Sequence, residues 1–125
     1  MRQGLGPGDE VIQKYSELIR TTIGEHLAEE HPQKTIEGIY IIACYPSYGC
    51  LYVGISNNIK LRLMQHLLSG DDIGVFLRDN MAVSCGWRLD ILIAPENRNK
   101  REWMRQAEKL LVNRFHPLLN TQHVN

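Results

Sequence analysis

The sequence predicts an α/β fold of the α+β type: a small three-stranded antiparallel sheet flanked by helices, with an extra helix at the N-terminus. Two short β-rich segments lie on either side of a turn, a later segment alternates apolar and polar residues, and three stretches repeat apolar residues every three or four positions. A length of 125 residues suits one modest core. We expect an N-terminal arm and helix over residues 1–36, packed on or extending the core, and a main domain over residues 37–125.

The N-terminal segment has the pattern of an amphipathic helix from about Asp9 to Glu30. Asp9 stands where an N-cap is expected, and His31-Pro32 ends the pattern because the residue before a proline avoids helical geometry. The apolar residues at helical spacing are Val11, Ile12, Tyr15, Leu18, Ile19, Ile23 and Leu27. This stripe is expected to cover the sheet or to make a dimer contact.

The three predicted strands follow. Strand one is expected from Glu37 to Cys44, residues 45–49 form a turn by composition, and strand two runs from Cys50 to Ile55, which completes a hairpin. Residues 87–94 alternate apolar and polar side chains as a third strand does, and Pro95 closes it.

Two helices flank these strands in the prediction. The first begins at about Ile59 and ends near Ser69-Gly70, and residues 69–84 are expected to be a loop. The second runs from about Asn99 to Phe115 and ends at His116-Pro117.

Composition excludes several classes of protein. No stretch reaches the roughly 18 apolar residues that span a bilayer, and the first residues lack the apolar core of a secretion signal, so we expect an intracellular protein without a membrane partner. Cys44, Cys50 and Cys85 are odd in number and form no Cys-x-x-Cys pair. Neither a zinc site nor a disulfide framework is indicated.

The charges are unevenly distributed, although the formal net charge is zero. Residues 1–37 carry four basic and seven acidic side chains, so the remainder has a positive excess of three. Residues 98–114 hold six basic side chains against two acidic ones: Arg98, Lys100, Arg101, Arg105, Lys109 and Arg114, with Glu102 and Glu108. Such a run is either a solvated helix face or a ridge that follows phosphates.

Two tyrosine tripeptides lie in the predicted hairpin. Gly38-Ile39-Tyr40 is on strand one and Tyr52-Val53-Gly54 on strand two, so the two tyrosines can be cross-strand neighbours. A pair of core aromatics is the alternative interpretation. Arg62 and His66 follow four residues apart and therefore share a helix face.

Glu108 falls within the apolar stripe of the last helix, close in spacing to Met104, Leu111 and Val112. A carboxylate there is costly unless it is paired or bound to a cation. It either pairs with a neighbouring arginine or acts as a metal ligand. A single carboxylate with waters and a phosphate oxygen is a common way to hold Mg²⁺.

In this order, the residues resemble the GIY-YIG nuclease domain from Gly38 to about Thr121. The first tripeptide matches the first half of the family signature, and the second matches the other half with valine in place of isoleucine, which is also β-branched. The later residues that match the family pattern are the strand exit at residues 55–59, Arg62, His66, Glu108 and Asn120. A histidine at the place of His66 occurs in only part of the family.

The resemblance implies a divalent-metal-dependent endonuclease that hydrolyses phosphodiester bonds in DNA with one Mg²⁺ or Mn²⁺ ion, held by Glu108. The implied catalytic residues are Tyr40, Tyr52, Arg62, His66, Glu108 and Asn120. Together with the charge pattern, it predicts substrate contacts from Gly38, Gly54, Ser56, Arg98, Lys100, Arg101 and Arg105. The expected location is cytoplasmic or nucleoid-associated. A homodimer would place two single-strand cutters on opposite strands.

The implied roles follow from side-chain chemistry. Tyr40, assisted by Tyr52, would deprotonate or orient the attacking water, although the residues leave open which tyrosine is the base. A tyrosine with a pKa of about 10 is a poor base at neutral pH unless nearby cations lower that pKa, which gives Arg62 a role besides stabilising the phosphate. His66 would hold the phosphate or protonate the leaving oxygen. Asn120 would cap the last helix or donate to the site.

A second interpretation is a catalytically silent module of the same fold that binds nucleic acid. The zero net charge and the lack of a recognisable second DNA-binding domain favour it, whereas the intact tyrosines, arginine and glutamate argue against it. A third interpretation, a small metal- or ligand-binding protein, has only scattered histidines and cysteines to support it.

Overall fold

The structure, a computed structural model, describes residues 12–28, 36–44, 49–96 and 99–120. Its strands are β1 (Glu17–Thr22), β2 (Gly38–Cys44), β3 (Gly49–Ser56) and β4 (Arg88–Ile93). Its helices are α1 (Ile23–Ala28), α2 (Ile59–Leu68), α3 (Asp72–Asp79), α4 (Met81–Ser84) and α5 (Lys100–Phe115), and a 3-10 turn covers Ile12–Lys14. The strands pair antiparallel in the order β1-β4-β2-β3, which confirms the predicted α+β class.

The N-terminal helix predicted over residues 9–30 is wrong where the structure describes it. Residues 17–22 form β1, which pairs along its whole length with β4, and within residues 12–28 only the 3-10 turn at Ile12–Lys14 and α1 are helical. The sheet therefore has four strands, not three. Thr21 and Thr22 are β-branched and favour the extended backbone once β4 supplies hydrogen-bond partners. The proposed cap Asp9 lies outside the described residues.

The predicted hairpin of β2 and β3 is confirmed. Tyr40 lies opposite Gly54 and Ile42 opposite Tyr52, and the register shifts between Ile42 and Ala43. Residues 45–48 of the predicted turn lie outside the described residues, and Gly49 is the first residue of β3. Because side chains alternate along a strand, Tyr40 and Ile42 point to one face of the sheet.

The two faces of the sheet carry different helices. Tyr40 and Tyr52 belong to a core shared with α2 and α3, and Ile39 and Val53 belong to a second core shared with α5. The buried α-helix residues in the first core are Ile23, Ile59, Leu63, Ile73 and Leu77, and those in the second are Trp103, Met104, Ala107 and Leu111. The tyrosines and α5 thus lie on opposite faces.

Helix α2 begins where the sequence predicts. Asn58 caps it by accepting a hydrogen bond from the Leu61 N–H at 3.1 Å, and the Ser56 hydroxyl accepts one from the Asn58 N–H at 3.0 Å. The segment expected to be a loop, residues 69–84, instead contains α3 and α4. No helix in the described ranges is long and apolar enough to cross a membrane.

The chain after α5 runs along the free edge of β3. His116 ends the helix in the left-handed conformation, with φ of 46°. The Leu119 N–H then donates to the Leu51 carbonyl at 2.9 Å, and the Asn120 side chain bonds to Val53. This segment supplies partners to an edge that would otherwise stay open.

Candidate active site

The two signature tyrosines meet on the face of the sheet covered by α2 and α3. Their ring centroids are 6.0 Å apart, and they are diagonal rather than directly opposed cross-strand neighbours. Tyr40 is 1% exposed and Tyr52 is 4% exposed. A Cβ added at Gly54 would lie 2.5 Å from both Cζ and Oη of Tyr40, so the missing side chain of Gly54 makes room for the phenol.

His66 joins Tyr40 to an acidic residue. The Tyr40 hydroxyl and His66 Nε2 are 2.7 Å apart, and His66 Nδ1 is 2.9 Å from Asp71 Oδ2. A carboxylate only accepts hydrogen bonds, so Nδ1 carries the proton and neutral Nε2 accepts from the Tyr40 O–H. His66 is wholly buried, and both ring nitrogens are bonded within the protein. This arrangement leaves His66 no nitrogen with which to hold a phosphate or protonate a leaving oxygen.

Burial dominates the electrostatics of this cluster. It raises the pKa of Tyr40 well above the ordinary tyrosine value, and neighbouring Tyr52 raises that pKa further. Arg62 lowers the Tyr40 pKa, as the sequence suggests, but burial outweighs its effect. Burial likewise lowers the pKa of His66, and Arg62 adds to this while Asp71 opposes it. At neutral pH, therefore, Tyr40 is protonated and His66 is neutral.

Arg62 completes the cluster from α2. It is half-buried, and its guanidinium hydrogen-bonds the Tyr40 side chain. Its four-residue separation from His66 brings both onto one side of α2, as predicted. A fixed cation thus lies beside the tyrosine that contacts His66.

Asp71 is the residue of this cluster that sequence reasoning missed. Its Oδ1 accepts the Gly74 N–H at 2.8 Å and caps α3, while its Oδ2 binds His66. Partial burial raises its pKa, but hydrogen bonds from Gly74, His66 and Ser69 outweigh that effect and hold the pKa below the ordinary aspartate value. An aspartate before a new helix is a recognisable cap signal, but it does not reveal the second bond.

Glu108 lies on α5, within the predicted apolar stripe. It is 9% exposed and stands between the buried residues Ala107 and Leu111. Because α5 covers the face opposite the tyrosines, Glu108 lies on a helix packed against the other face of the sheet from the helix that carries Arg62 and His66. Its donor chemistry, one buried carboxylate, fits a Mg²⁺ ion that keeps most of its waters. In the described ranges, no three His, Cys, Asp or Glu side chains cluster as metal ligands.

Asn120 is used by the backbone of β3. Its Oδ1 accepts the Val53 N–H at 2.8 Å, and its Nδ2 donates to the Val53 carbonyl at 2.7 Å. Asn120 and Val53 are both buried, and Val53 directly follows Tyr52 in the sequence. The amide therefore ties the C-terminal segment to the strand that carries Tyr52.

The residues predicted to bind substrate are dispersed. A Cβ at Gly38 would clash with the Leu92 carbonyl, so this glycine serves strand packing. Lys100 forms an ion pair with Glu37 at 2.8 Å. Arg101 and Arg105 are exposed on α5, Ser56 supports the start of α2, and Arg98 lies outside the described residues.

A comparison with protein-family models covers this whole region. The model of the GIY-YIG catalytic domain matches residues 36–120. The match includes both tyrosine tripeptides, α2, Asp71, Glu108 and Asn120, whereas β1 precedes it. No curated protein and no solved structure matches the chain.

Proposed function

The chain belongs to the GIY-YIG family, as its sequence suggests, and from this we propose that it is an endonuclease that hydrolyses phosphodiester bonds in DNA with one divalent metal ion. The family generally comprises nucleases. The observation that carries the proposal is the hydrogen-bonded chain from Tyr40 through His66 to Asp71, with Arg62 beside it.

Tyr40 is the proposed acceptor of the proton from the attacking water. Because burial raises its pKa, a free phenolate is costly, so Tyr40 must lose its own proton as it gains one. Neutral His66, 2.7 Å away, can receive that proton at Nε2. The water then becomes the nucleophile, and the positive charge on the imidazole faces the Asp71 carboxylate. This contact makes Tyr40, rather than Tyr52, the better candidate for the base.

Arg62 is proposed to bind the scissile phosphate. Its planar guanidinium suits a phosphate and stays charged, so it stabilises the negative charge that grows on the phosphorus in the transition state. Its half-buried side chain lies against Tyr40, which would place the attacked phosphorus next to the activated water. Tyr52 would orient that water from the paired strand.

Glu108 is proposed to hold the Mg²⁺ or Mn²⁺ ion. A bound ion would supply charge stabilisation at the leaving oxygen. The buried Glu108 carboxylate offers the oxygen ligand that Mg²⁺ prefers. Asn120 would support the site indirectly by fixing β3. A homodimer, with each protomer cutting one strand, remains part of the proposal for double-strand cleavage.

The alternative function is a catalytically silent module that binds nucleic acid. The deep burial of Tyr40 and Tyr52 favours it, because a base must reach water. The complete Tyr40–His66–Asp71 chain favours catalysis, because binding DNA does not require it.

Cleavage assays separate the two functions. Purified protein is incubated with supercoiled plasmid and with labelled single strands in Mg²⁺ or Mn²⁺, with EDTA as a blank. We expect metal-dependent cutting that Glu108→Ala abolishes and that Tyr40→Phe slows by about a hundredfold or more. Matched controls are Glu102→Ala, an exposed glutamate of the same helix, and Tyr15→Phe, a tyrosine of the other core.

Two results would contradict the nuclease. If Tyr40→Phe and Glu108→Ala cut as fast as the wild-type protein, these residues do not carry the chemistry. If the wild-type protein retards DNA in a gel but cuts neither substrate, the silent module is the better description.

A further inference from the structure

We propose that Asp71 is a positioning residue for this site, which holds His66 in the one tautomer that can accept the Tyr40 proton. The effect of Asp71 on turnover rests on the proposed function. Its effect on the tautomer of His66 can be tested whether or not the protein cuts DNA. Asp71 does not touch substrate in this scheme. It acts through His66.

The argument begins with the two nitrogens of His66. Neutral imidazole carries its proton on either Nδ1 or Nε2. With the proton on Nδ1, the Nε2 lone pair points at the Tyr40 hydroxyl, 2.7 Å away. With the proton on Nε2, the ring would donate to the Tyr40 oxygen and could take nothing from it. Only an acceptor at Nδ1 selects the first form, and Asp71 Oδ2 is that acceptor at 2.9 Å.

Asp71 is held more firmly than a helix cap requires. Its Oδ1 accepts the Gly74 N–H at 2.8 Å, and its own N–H donates to the Ser69 hydroxyl at 3.2 Å. A Cβ at Gly74 would clash with the His66 carbonyl, so the glycine lets α3 lie directly against the end of α2. Arg78 donates to the carbonyl of Leu67 at 2.7 Å and to that of Ser69. The corner between α2 and α3 thus fixes the carboxylate relative to the imidazole.

The other groups facing His66 cannot replace Asp71. Arg62 is a cation and disfavours a protonated ring. Tyr40 occupies Nε2, and Tyr52 packs edge-on with its ring centroid 5.1 Å from that of His66. Among the residues that the structure describes around His66, Asp71 is therefore the carboxylate that sets the tautomer. It also stabilises the imidazolium that forms when His66 accepts the Tyr40 proton.

Asp71→Asn separates this role from capping. Asparagine is an equally good N-cap, and its oxygen must face the Gly74 N–H, which turns the amide NH₂ towards His66 Nδ1. An NH₂ group donates, so His66 must move its proton to Nε2. We expect a folded variant with a lower melting temperature at neutral pH, an Nε2–H signature for His66 in ¹⁵N NMR spectra, and turnover at least about tenfold lower with unchanged KM.

Asp72→Asn is the matched control, because it removes the same charge from the neighbouring exposed residue. It should alter neither the tautomer nor turnover. Asp71→Ser keeps a cap without any partner for Nδ1 and provides a second variant if Asp71→Asn is poorly folded. It should also lower turnover.

The results distinguish this inference from the proposed function. If the wild-type protein cuts DNA and Asp71→Asn cuts it equally well with an unchanged pH profile, the inference is overturned and the nuclease stands. If the wild-type protein does not cut, the nuclease is overturned and the NMR spectra decide. An Nδ1–H signature in Asp71→Asn would then overturn the inference as well.

Discussion

Tyr40 combines deep burial with a short hydrogen bond to His66. In water, a tyrosine becomes a base only when its pKa is lowered, and here burial acts in the opposite direction. The hydrogen bond offers another route, because the proton leaves for His66 while another arrives. The same side chain therefore stabilises the core and forms the start of a proton path.

At the residue scale, the pH dependence of cleavage should follow His66. Only the neutral ring accepts a proton, and burial lowers its pKa below the ordinary value of about 6.5. We therefore expect the acid limb of the single-turnover rate to be centred below the ordinary histidine pKa of about 6.5. An acid limb centred at or above pH 6.5 would contradict this.

The same shift has a consequence for folding. Below about pH 6.5, His66 binds a proton in the unfolded chain, whereas its lowered pKa keeps it neutral in the folded protein. The free energy of unfolding therefore falls as the pH falls through this range. Thermal unfolding at several pH values measures the trend.

Gly54→Ala should damage both the core and the site. Its Cβ would lie 2.5 Å from the Tyr40 phenol, which must move off its hydrogen bond to His66. We expect a loss of about 1–3 kcal/mol in the free energy of unfolding, with a sharp loss of cleavage. Gly70→Ala is the control, because its Cβ meets nothing within 4 Å. If Gly54→Ala unfolds like the Gly70 variant, the packing argument fails.

Many of the candidate site residues could be selected from the sequence because they follow the order of the GIY-YIG family pattern. The pairing of Tyr40 with Tyr52 and the proximity of Arg62 follow from strand and helix periodicity. Asp71 did not follow, because it is five residues from His66 across a turn, and no periodicity specifies where such a turn aims a carboxylate. The raised Tyr40 pKa depends on burial by α2 and α3, which sequence patterns do not measure.

At the scale of elements, β1 shows where pattern reasoning failed. Its residues Leu18 and Ile19, followed later by Ile23, fit a helical spacing, and the same residues are also compatible with an edge strand. The pairing with β4 makes this segment a strand rather than a helix, and it joins residues such as Ile19 and Ile91 that are more than seventy positions apart in the sequence. The hairpin, α2, β4 and α5 were predictable because their signals are local: turns, caps and alternation. The helices of residues 69–84 are only eight and four residues long, so each offers too few turns for a helical period to be recognised.

Asn120→Ala tests the role of the C-terminal segment. It removes both partners of the buried Val53 backbone, so we expect a loss of about 1–3 kcal/mol in the free energy of unfolding, measured by chemical denaturation. Asn113→Ala, an exposed asparagine on α5, should have little effect. Unchanged stability with lost cleavage would instead assign Asn120 to the chemistry.

At the scale of the whole molecule, the charged surface and the tyrosine cluster lie on different sides. The exposed cations Arg101 and Arg105 are on α5, which covers the sheet face opposite Tyr40. If DNA binds to these two arginines, they contact phosphates other than the one that is cleaved. Such contacts add affinity without taking part in the chemistry.

Removing these two arginines tests that geometry. Arg101→Ala with Arg105→Ala should weaken DNA binding and reduce the slope of log affinity against log salt by about two, while the cleavage rate of bound DNA stays the same. Glu102→Gln, on the same exposed turn, should slightly tighten binding. An unchanged salt slope would show that α5 is simply a solvated face.

The position of β1 in the sheet also sets an order of events during synthesis. Glu17 pairs with Ile93, whereas the tyrosine cluster is drawn from residues 40–71. On the ribosome, β1 emerges first and waits for β4 for roughly 4–15 seconds at 5–20 residues per second. The hairpin, α2 and α3 can assemble during that interval. The nascent chain can therefore build its tyrosine cluster while β1 is still an unpaired strand.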